Sequence, residues 1–137
     1  MLHKEKVQYL HQKGYNCAQA LLCTYQEELQ VDEKVLFGLA EGLGRGVAGL
    51  ENMCCIPIVM TMICSMSETC DYHLEHPQSK LKTYACGKCL IMDFKEKIGS
   101  ICCYEIMQNN KKKHPQTSCT DVLIKSVEIL DNYLNNV

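Results

Sequence analysis

Eleven of the 137 residues are cysteine. An ionised thiol is a nucleophile, a soft metal ligand and, beside a second thiol, half of a two-electron redox couple. The question is which of the eleven can share a locus. Cys54-Cys55 and Cys102-Cys103 are vicinal pairs. Neighbouring helical residues point about 100° apart, so at most one of each pair is expected to face a given site. Cys86-Gly-Lys-Cys89 is a C-x-x-C, which on a helix puts both thiols on one face. It lacks the β-α setting of a thioredoxin motif, the following histidine of a haem attachment site, and a second C-x-x-C to complete a zinc knuckle. Cys86 and Cys89 are therefore either ligands or a redox pair, or two small core residues. Cys70, His73 and His76 could close on a metal, against the plainer reading of polar loop residues in solvent. Gly44-Arg-Gly46-Val-Ala-Gly49 matches G-x-G-x-x-G. A helix precedes it and no β-α-β unit surrounds it, so it reads as a loop whose glycines permit positive φ or close backbone approach, not as a dinucleotide site.

The elements that must position these thiols are helical. Apolar residues recur with helical spacing nearly throughout, and no alternating strand is visible. The first helix is expected from His3 to Lys13, stopping at Gly14. The second starts behind Asn16, a good N-cap, and runs to about Leu29. The third starts at Asp32 and ends in the glycine-rich stretch from Glu41. The fourth covers about Ile56 to Ser67, with Pro57 tolerated in its first turn. Residues 71–78 read as a loop. Further helices are expected from Ser79 to Lys97 and from Ser100 to about Asn109, with residues 109–115 a solvated loop. The last helix starts at Ser118, with Asp121 completing a capping box, and ends near Asn135. The fold predicted is all-α: one domain over residues 1–137, a compact bundle of about six or seven helices. The helix at about 56–67, apolar around its circumference, lies buried at its centre. The last helix should present Cys119, Val122, Leu123, Ser126, Leu130, Tyr133 and Leu134 to the core.

The element starts single out four cysteines. Cys17, Cys54, Cys103 and Cys119 each sit close to a predicted helix N-terminus, where unpaired N–H groups and the helix dipole favour a thiolate. The alternative is four buried, inert cysteines.

At these same residues the chain resembles the C_GCAxxG_C_C family, small bacterial and archaeal proteins to which redox activity is ascribed. The resemblance runs in order through Gly14-Tyr-Asn-Cys17-Ala-Gln-Ala-Leu, Gly42-Leu-Gly-Arg, Cys54, Phe94-Lys-Glu-Lys-Ile-Gly-Ser-Ile-Cys-Cys103-Tyr-Glu-Ile and Cys119-Thr-Asp-Val-Leu-Ile-Lys-Ser-Val-Glu-Ile-Leu. It covers almost the whole chain. The family's four characteristic cysteines map to Cys17, Cys54, Cys103 and Cys119. The resemblance implies redox or electron-transfer work, with an iron–sulfur cluster as one form of it, since a similar domain occurs in split-Soret-type cytochromes. The central element departs from the pattern: where the family has C-G-A-x-x-G, this chain reads Cys54-Cys-Ile-Pro-Ile-Val59. If the small residues leave room for a cofactor, Cys55, Ile56 and Val59 would fill it.

Three functions follow as expectations. In the first, Cys17, Cys54, Cys103 and Cys119 converge as iron–sulfur ligands or as a dithiol/disulfide couple, with Cys55 as a further reactive thiol and an unidentified redox protein as partner. In the second, the thiols bind zinc, with Cys86 and Cys89 as weaker candidates. In the third, the cysteines only pack a helical interaction domain. A possible homodimer is in keeping with the size of the domain. A net charge of −2 and a single arginine, Arg45, point away from nucleic acid. No apolar run approaches the roughly 20 residues that span a bilayer. A charged N-terminal stretch without an apolar leader, and an odd cysteine count, make reduced thiols in the cytoplasm the expectation.

Overall fold

Asn16 shows how local sequence starts an element and ties it to its neighbours. Its Oδ1 accepts from the Gln19 backbone N–H at 2.9 Å, and the Gln19 side chain returns a bond to the Asn16 N–H at 3.1 Å. This reciprocal capping box satisfies two otherwise orphaned donors. Its Nδ2 also donates to the Glu41 carbonyl at 2.9 Å, joining the start of one helix to the end of another. A computed structural model of the chain describes residues 1–113 and 119–135. They form α1 (His3–Gln12), α2 (Cys17–Thr24), α3 (Gln26–Leu29), α4 (Glu33–Glu41), α5 (Cys55–Cys64), α6 (Lys80–Ile98), α7 (Cys103–Lys113) and α8 (Cys119–Asn135), with a π-helical turn, Ser65–Thr69, continuing α5. The fold is all-α. Its only β-type feature among the described residues is an isolated antiparallel bridge between Met53 and Cys102.

The core is built around α2 and α5. Residues 18–25 are all buried, and α5 buries Cys55, Ile56, Pro57, Val59, Met60, Ile63 and Cys64. The central helix is not enclosed on every side: Ile58, Thr61 and Met62 are only half-buried. Thr61 and Met62 face a groove shared with α6. α8 buries Val122, Leu123, Ser126, Val127, Ile129 and Leu130, while Tyr133 and Leu134 pack at the core's edge.

Two expected helices differ. The second helix breaks at Tyr25 (φ −98°, ψ 19°), whose buried ring lies 4.2 Å from the His3 ring and whose hydroxyl donates to Asp131 at 2.8 Å. Packing against two other helices decides the backbone there. The sixth predicted helix starts at Cys103, not Ser100, because the residues before it are bound to residues 51–54. It continues through Asn109 and Asn110 to Lys113, where a loop was expected; lysines are good helix formers. The Ser118 cap lies outside the described residues.

The glycine-rich loop is the most constrained backbone. Arg45, Gly46, Val47, Ala48 and Gly49 have φ of 53°, 75°, 69°, 54° and 74°, five consecutive left-handed residues, and Glu51 follows at 56°. A left-handed conformation costs an L-residue about 1–2 kcal/mol, and a β-branched residue such as Val47 adopts it rarely. Internal bonds offset this: Val47 N–H to Leu43 O at 3.0 Å, Ala48 to Gly42 at 2.8 Å, Glu51 to Arg45 at 3.0 Å and Asn52 to Gly46 at 3.1 Å. The loop then pairs with the segment before α7, Cys54 N–H donating to Ile101 O and Cys103 N–H to Asn52 O, both at 2.7 Å. Gly46 is wedged into this junction. A Cβ there would lie 2.6 Å from Glu51 Cα, 2.7 Å from Asn52 N and 2.8 Å from Cys103 Cβ.

Gly46→Ala should therefore lower unfolding free energy by about 2–3 kcal/mol, read by urea denaturation. A change within error would show that the close approach is not rigid.

A second prediction concerns the N-terminus. His3 Nδ1 bonds Asp131 at 2.7 Å, and its Nε2 bonds Glu28. Burial pulls the His3 pKa down, but the bonds to and charges of Asp131 and Glu28 outweigh it and leave it above 6.5. The folded chain thus holds this proton more tightly. The stabilisation is fully present below pH 6.5 and is lost as pH rises through the raised value. The thermal midpoint of the wild type should fall over that window, and His3→Gln should flatten the fall.

Candidate thiol site

Four cysteines at helix starts come together in the fold. Cys17 is the first residue of α2, Cys54 is the N-cap of α5, Cys103 opens α7, and Cys119 is the first described residue of α8. All four line one cavity of about 260 Å³. Cys55 lines it too, with Ile56, Ile106, Met107 and Val122 as the apolar wall and His11, Asn16, Arg45 and Gly46 as the remainder.

Both members of the Cys54-Cys55 pair face this cavity, against the expectation of one. The 100° rule holds only inside a helix, and Cys54 is an extended N-cap (φ −57°, ψ 133°). At the other pair only Cys103 lines the cavity, here because Cys102, outside α7, is held in the bridge to Met53. Cys103 lies 3.9 Å from the Met107 sulfur on the same helix face.

Cys17 is the hub of the arrangement. It shares the cavity wall with Cys119 and Cys55, and both act on its ionisation. The bond from Cys119 pulls the Cys17 thiol down, but its bond to Cys55 and its burial prevail and push it up to about 12. Cys119 is raised by its bond to Cys17 and then by burial. Burial pushes Cys54 up to about 12 against a backbone bond from Ile56. Cys103 is raised by burial and by Cys119, with Arg45 opposing. The thiolates expected at helix starts are therefore thiols at neutral pH. A helix N-terminus offers a fraction of a kcal/mol up to about 2 kcal/mol, and here burial and neighbouring sulfurs exceed that.

His11 was missed by sequence reading. It lines the cavity, bonds Thr120 Oγ1 through Nδ1 at 2.9 Å, and has its pKa lowered by burial, so it is neutral near pH 7. It precedes Cys17 across the turn at Gly14, so α1 and α2 must pack before histidine and thiol meet. Arg45, the one arginine, belongs to the wall and pairs with Glu51 at 3.1 Å.

The chain belongs to the C_GCAxxG_C_C family. The matching family is described as "Putative redox-active protein (C_GCAxxG_C_C)", and the match covers residues 15–133. Comparison with curated proteins and with solved structures found no match. The four cysteines singled out in the sequence by that resemblance, Cys17, Cys54, Cys103 and Cys119, are among those that line the cavity. At the departures from its central element, Cys55 and Ile56 occupy the cavity wall and Val59 is wholly buried.

The other candidates lie elsewhere. Cys89 is exposed, so it is not the small core residue that one reading of the C-x-x-C allowed, and Cys86 is half-buried at the opposite end of α5. His73 and His76 are exposed; the His73 Nδ1 bonds the His76 carbonyl at 3.1 Å. Among the described residues no three His, Cys, Asp or Glu side chains are arranged to hold a metal ion. The thiols are the right donor type for a cluster or zinc, but as placed they do not form its ligand set. No described helix is long and apolar enough to cross a membrane.

The shifted thiols set a pH profile. Alkylation of Cys17 by iodoacetamide in the folded protein should be slow at neutral pH and keep rising beyond 9, the ordinary thiol value, towards about 12. Peptide-resolved labelling would measure it. A plateau at or below pH 9 would contradict this electrostatic account.

Proposed function

We infer that the protein is a dithiol/disulfide redox protein whose couple is Cys17 and Cys119. The observation that carries this is that these two half-buried thiols, from opposite ends of the chain, line one small cavity at the starts of α2 and α8. Cys55 lines the same cavity but is almost wholly buried and lies outside the couple.

In the oxidising direction, Cys17 loses its proton and its sulfur attacks one sulfur of a partner disulfide. The partner's S–S bond breaks, a mixed disulfide forms, and one partner thiol leaves with a proton. Cys119 then loses its proton and attacks the Cys17 sulfur, releasing the second partner thiol. Cys17 and Cys119 have given up two electrons and two protons, and the partner disulfide has gained them. His11, neutral on the same cavity wall, is suited to take the proton from the attacking thiol. The direction of the exchange is set by the difference in reduction potential between this couple and the partner disulfide. Apolar Ile106, Met107 and Val122 shield the mixed disulfide from water.

Anaerobic oxidation of the reduced chain with a small disulfide, followed by alkylation and peptide mapping, should yield a Cys17–Cys119 bond. Cys17→Ser should abolish it, Cys119→Ser should leave a mixed disulfide on Cys17, and His11→Gln should slow closure by about tenfold or more. Iron, sulfide and zinc analysis of anaerobically purified protein runs alongside. A stoichiometric cluster or zinc, released when the same thiols are alkylated, would replace the disulfide reading with a metal-bound one.

A further inference from the structure

The far end of α5 carries a second group of sulfurs that the family pattern does not include. Cys64 ends the helix and is wholly buried. Its thiol lies 3.6 Å from the Tyr133 hydroxyl on α8, and Cys86 on α6, packed against the core next to the crossing with α5, is one of the groups that act on its ionisation. Cys86 also reaches the Tyr133 hydroxyl. Two thiols and a phenol from three helices thus meet at one point.

The local backbone explains why they can meet. Gly87 lets α6 approach α5 closely: a Cβ there would stand 3.1 Å from Thr61 Cγ2. Immediately after Cys64 the chain widens into the π-helical turn Ser65–Thr69, a distortion frequent at functional sites. Its last residue ties back to α6 through Thr69 and Thr83 hydroxyls 2.7 Å apart, one helical turn before Cys86. Cys55 and Cys64 are separated by about 13 Å of helix, too far for thiol exchange with the cavity at the other end.

We propose that Cys64 and Cys86 form a second dithiol/disulfide couple, opened from the surface by small disulfides and closed between α5 and α6. Cys86, the half-buried member, loses its proton and attacks one sulfur of a disulfide R–S–S–R, forming a mixed disulfide and releasing one R–SH. Cys64, the wholly buried member, then loses its proton and attacks the Cys86 sulfur, and the second R–SH leaves. The two cysteines lose two electrons and two protons, which the small disulfide gains. The Tyr133 hydroxyl accepts from the Cys64 thiol and, by rotating, can donate to the thiolate as it forms. Burial works against that ionisation and Tyr133 for it. The C-x-x-C partner, Cys89, points to solvent and is left out.

The test uses the reduced full-length chain, oxidised glutathione as oxidant, and tandem mass spectrometry of the alkylated digest. The expected product is a Cys64–Cys86 cross-link with a loss of about 2 Da, formed equally in wild type and in a Cys17→Ser/Cys119→Ser variant that lacks the first couple. Its formation in that variant separates the second couple from the first. In Cys86→Ser, Cys64 should remain a free thiol, alkylated only after unfolding. A persistent glutathione adduct on Cys86 with Cys64 free, a Cys86–Cys89 bond, or cross-linking of Cys86 to Cys70 would each overturn the proposal. The wild-type map decides the matter even if a variant fails to fold.

Discussion

The short antiparallel pairing of residues 51–54 with residues 101–104 is the contact on which the thiol cavity depends. Two backbone bonds of 2.7 Å join the end of the glycine loop to the residues before α7. They start α5 and α7 side by side and so bring Cys54 and Cys103 to one place. A typical backbone hydrogen bond contributes about 1 kcal/mol net, while each left-handed non-glycine residue in the loop costs about as much or more. Neither could persist alone. The loop's internal bonds, the pairing and the seat of Gly46 against Cys103 are mutually supporting, and strained backbone survives only where its surroundings over-determine it.

The chemistry of the cavity is set by a contest that the helix starts lose. Cys54 rises from 9.0 to about 12, mainly through burial. A helix N-terminus returns at most about 2 kcal/mol, which does not offset burial's preference for the neutral form. A site of this kind keeps its thiols protected until a partner or a base removes a proton. The same preference makes an apolar wall of Ile56, Ile106, Met107 and Val122 a chemical component, since it supplies the low dielectric.

The central helix carries this chain's own variation on its family. Where the resemblance sets C-G-A-x-x-G, this chain has Cys55, Ile56 and Val59, and the cavity beside them holds about 260 Å³. The bulk is accommodated because Val59 turns into the core and only Cys55 and Ile56 reach the wall. At the other end of the helix, Cys64 meets Cys86 and Tyr133 through a close crossing at Gly87 and a π-helical turn. One apolar helix thus has a thiol group at each end, isolated from each other by its length.

What the sequence determined by itself was mostly local. Helical periodicity, the Asn16 cap, Pro57 in a first turn and Gly99 after Ile98 are signals carried by a few adjacent residues, and they mark most of the α-helices. That Cys17, Cys54, Cys103 and Cys119 each stand at a helix start was legible too, because capping and helical periodicity act along the chain. Tertiary structure decided what depends on packing between distant segments. It broke the second helix at Tyr25, turned Cys55 as well as Cys54 to the cavity, brought His11 to its wall, and gave Cys86 to Cys64 instead of Cys89. It also reversed the expected ionisation of the thiols, since burial is a property of the whole fold and no neighbour in sequence reports it.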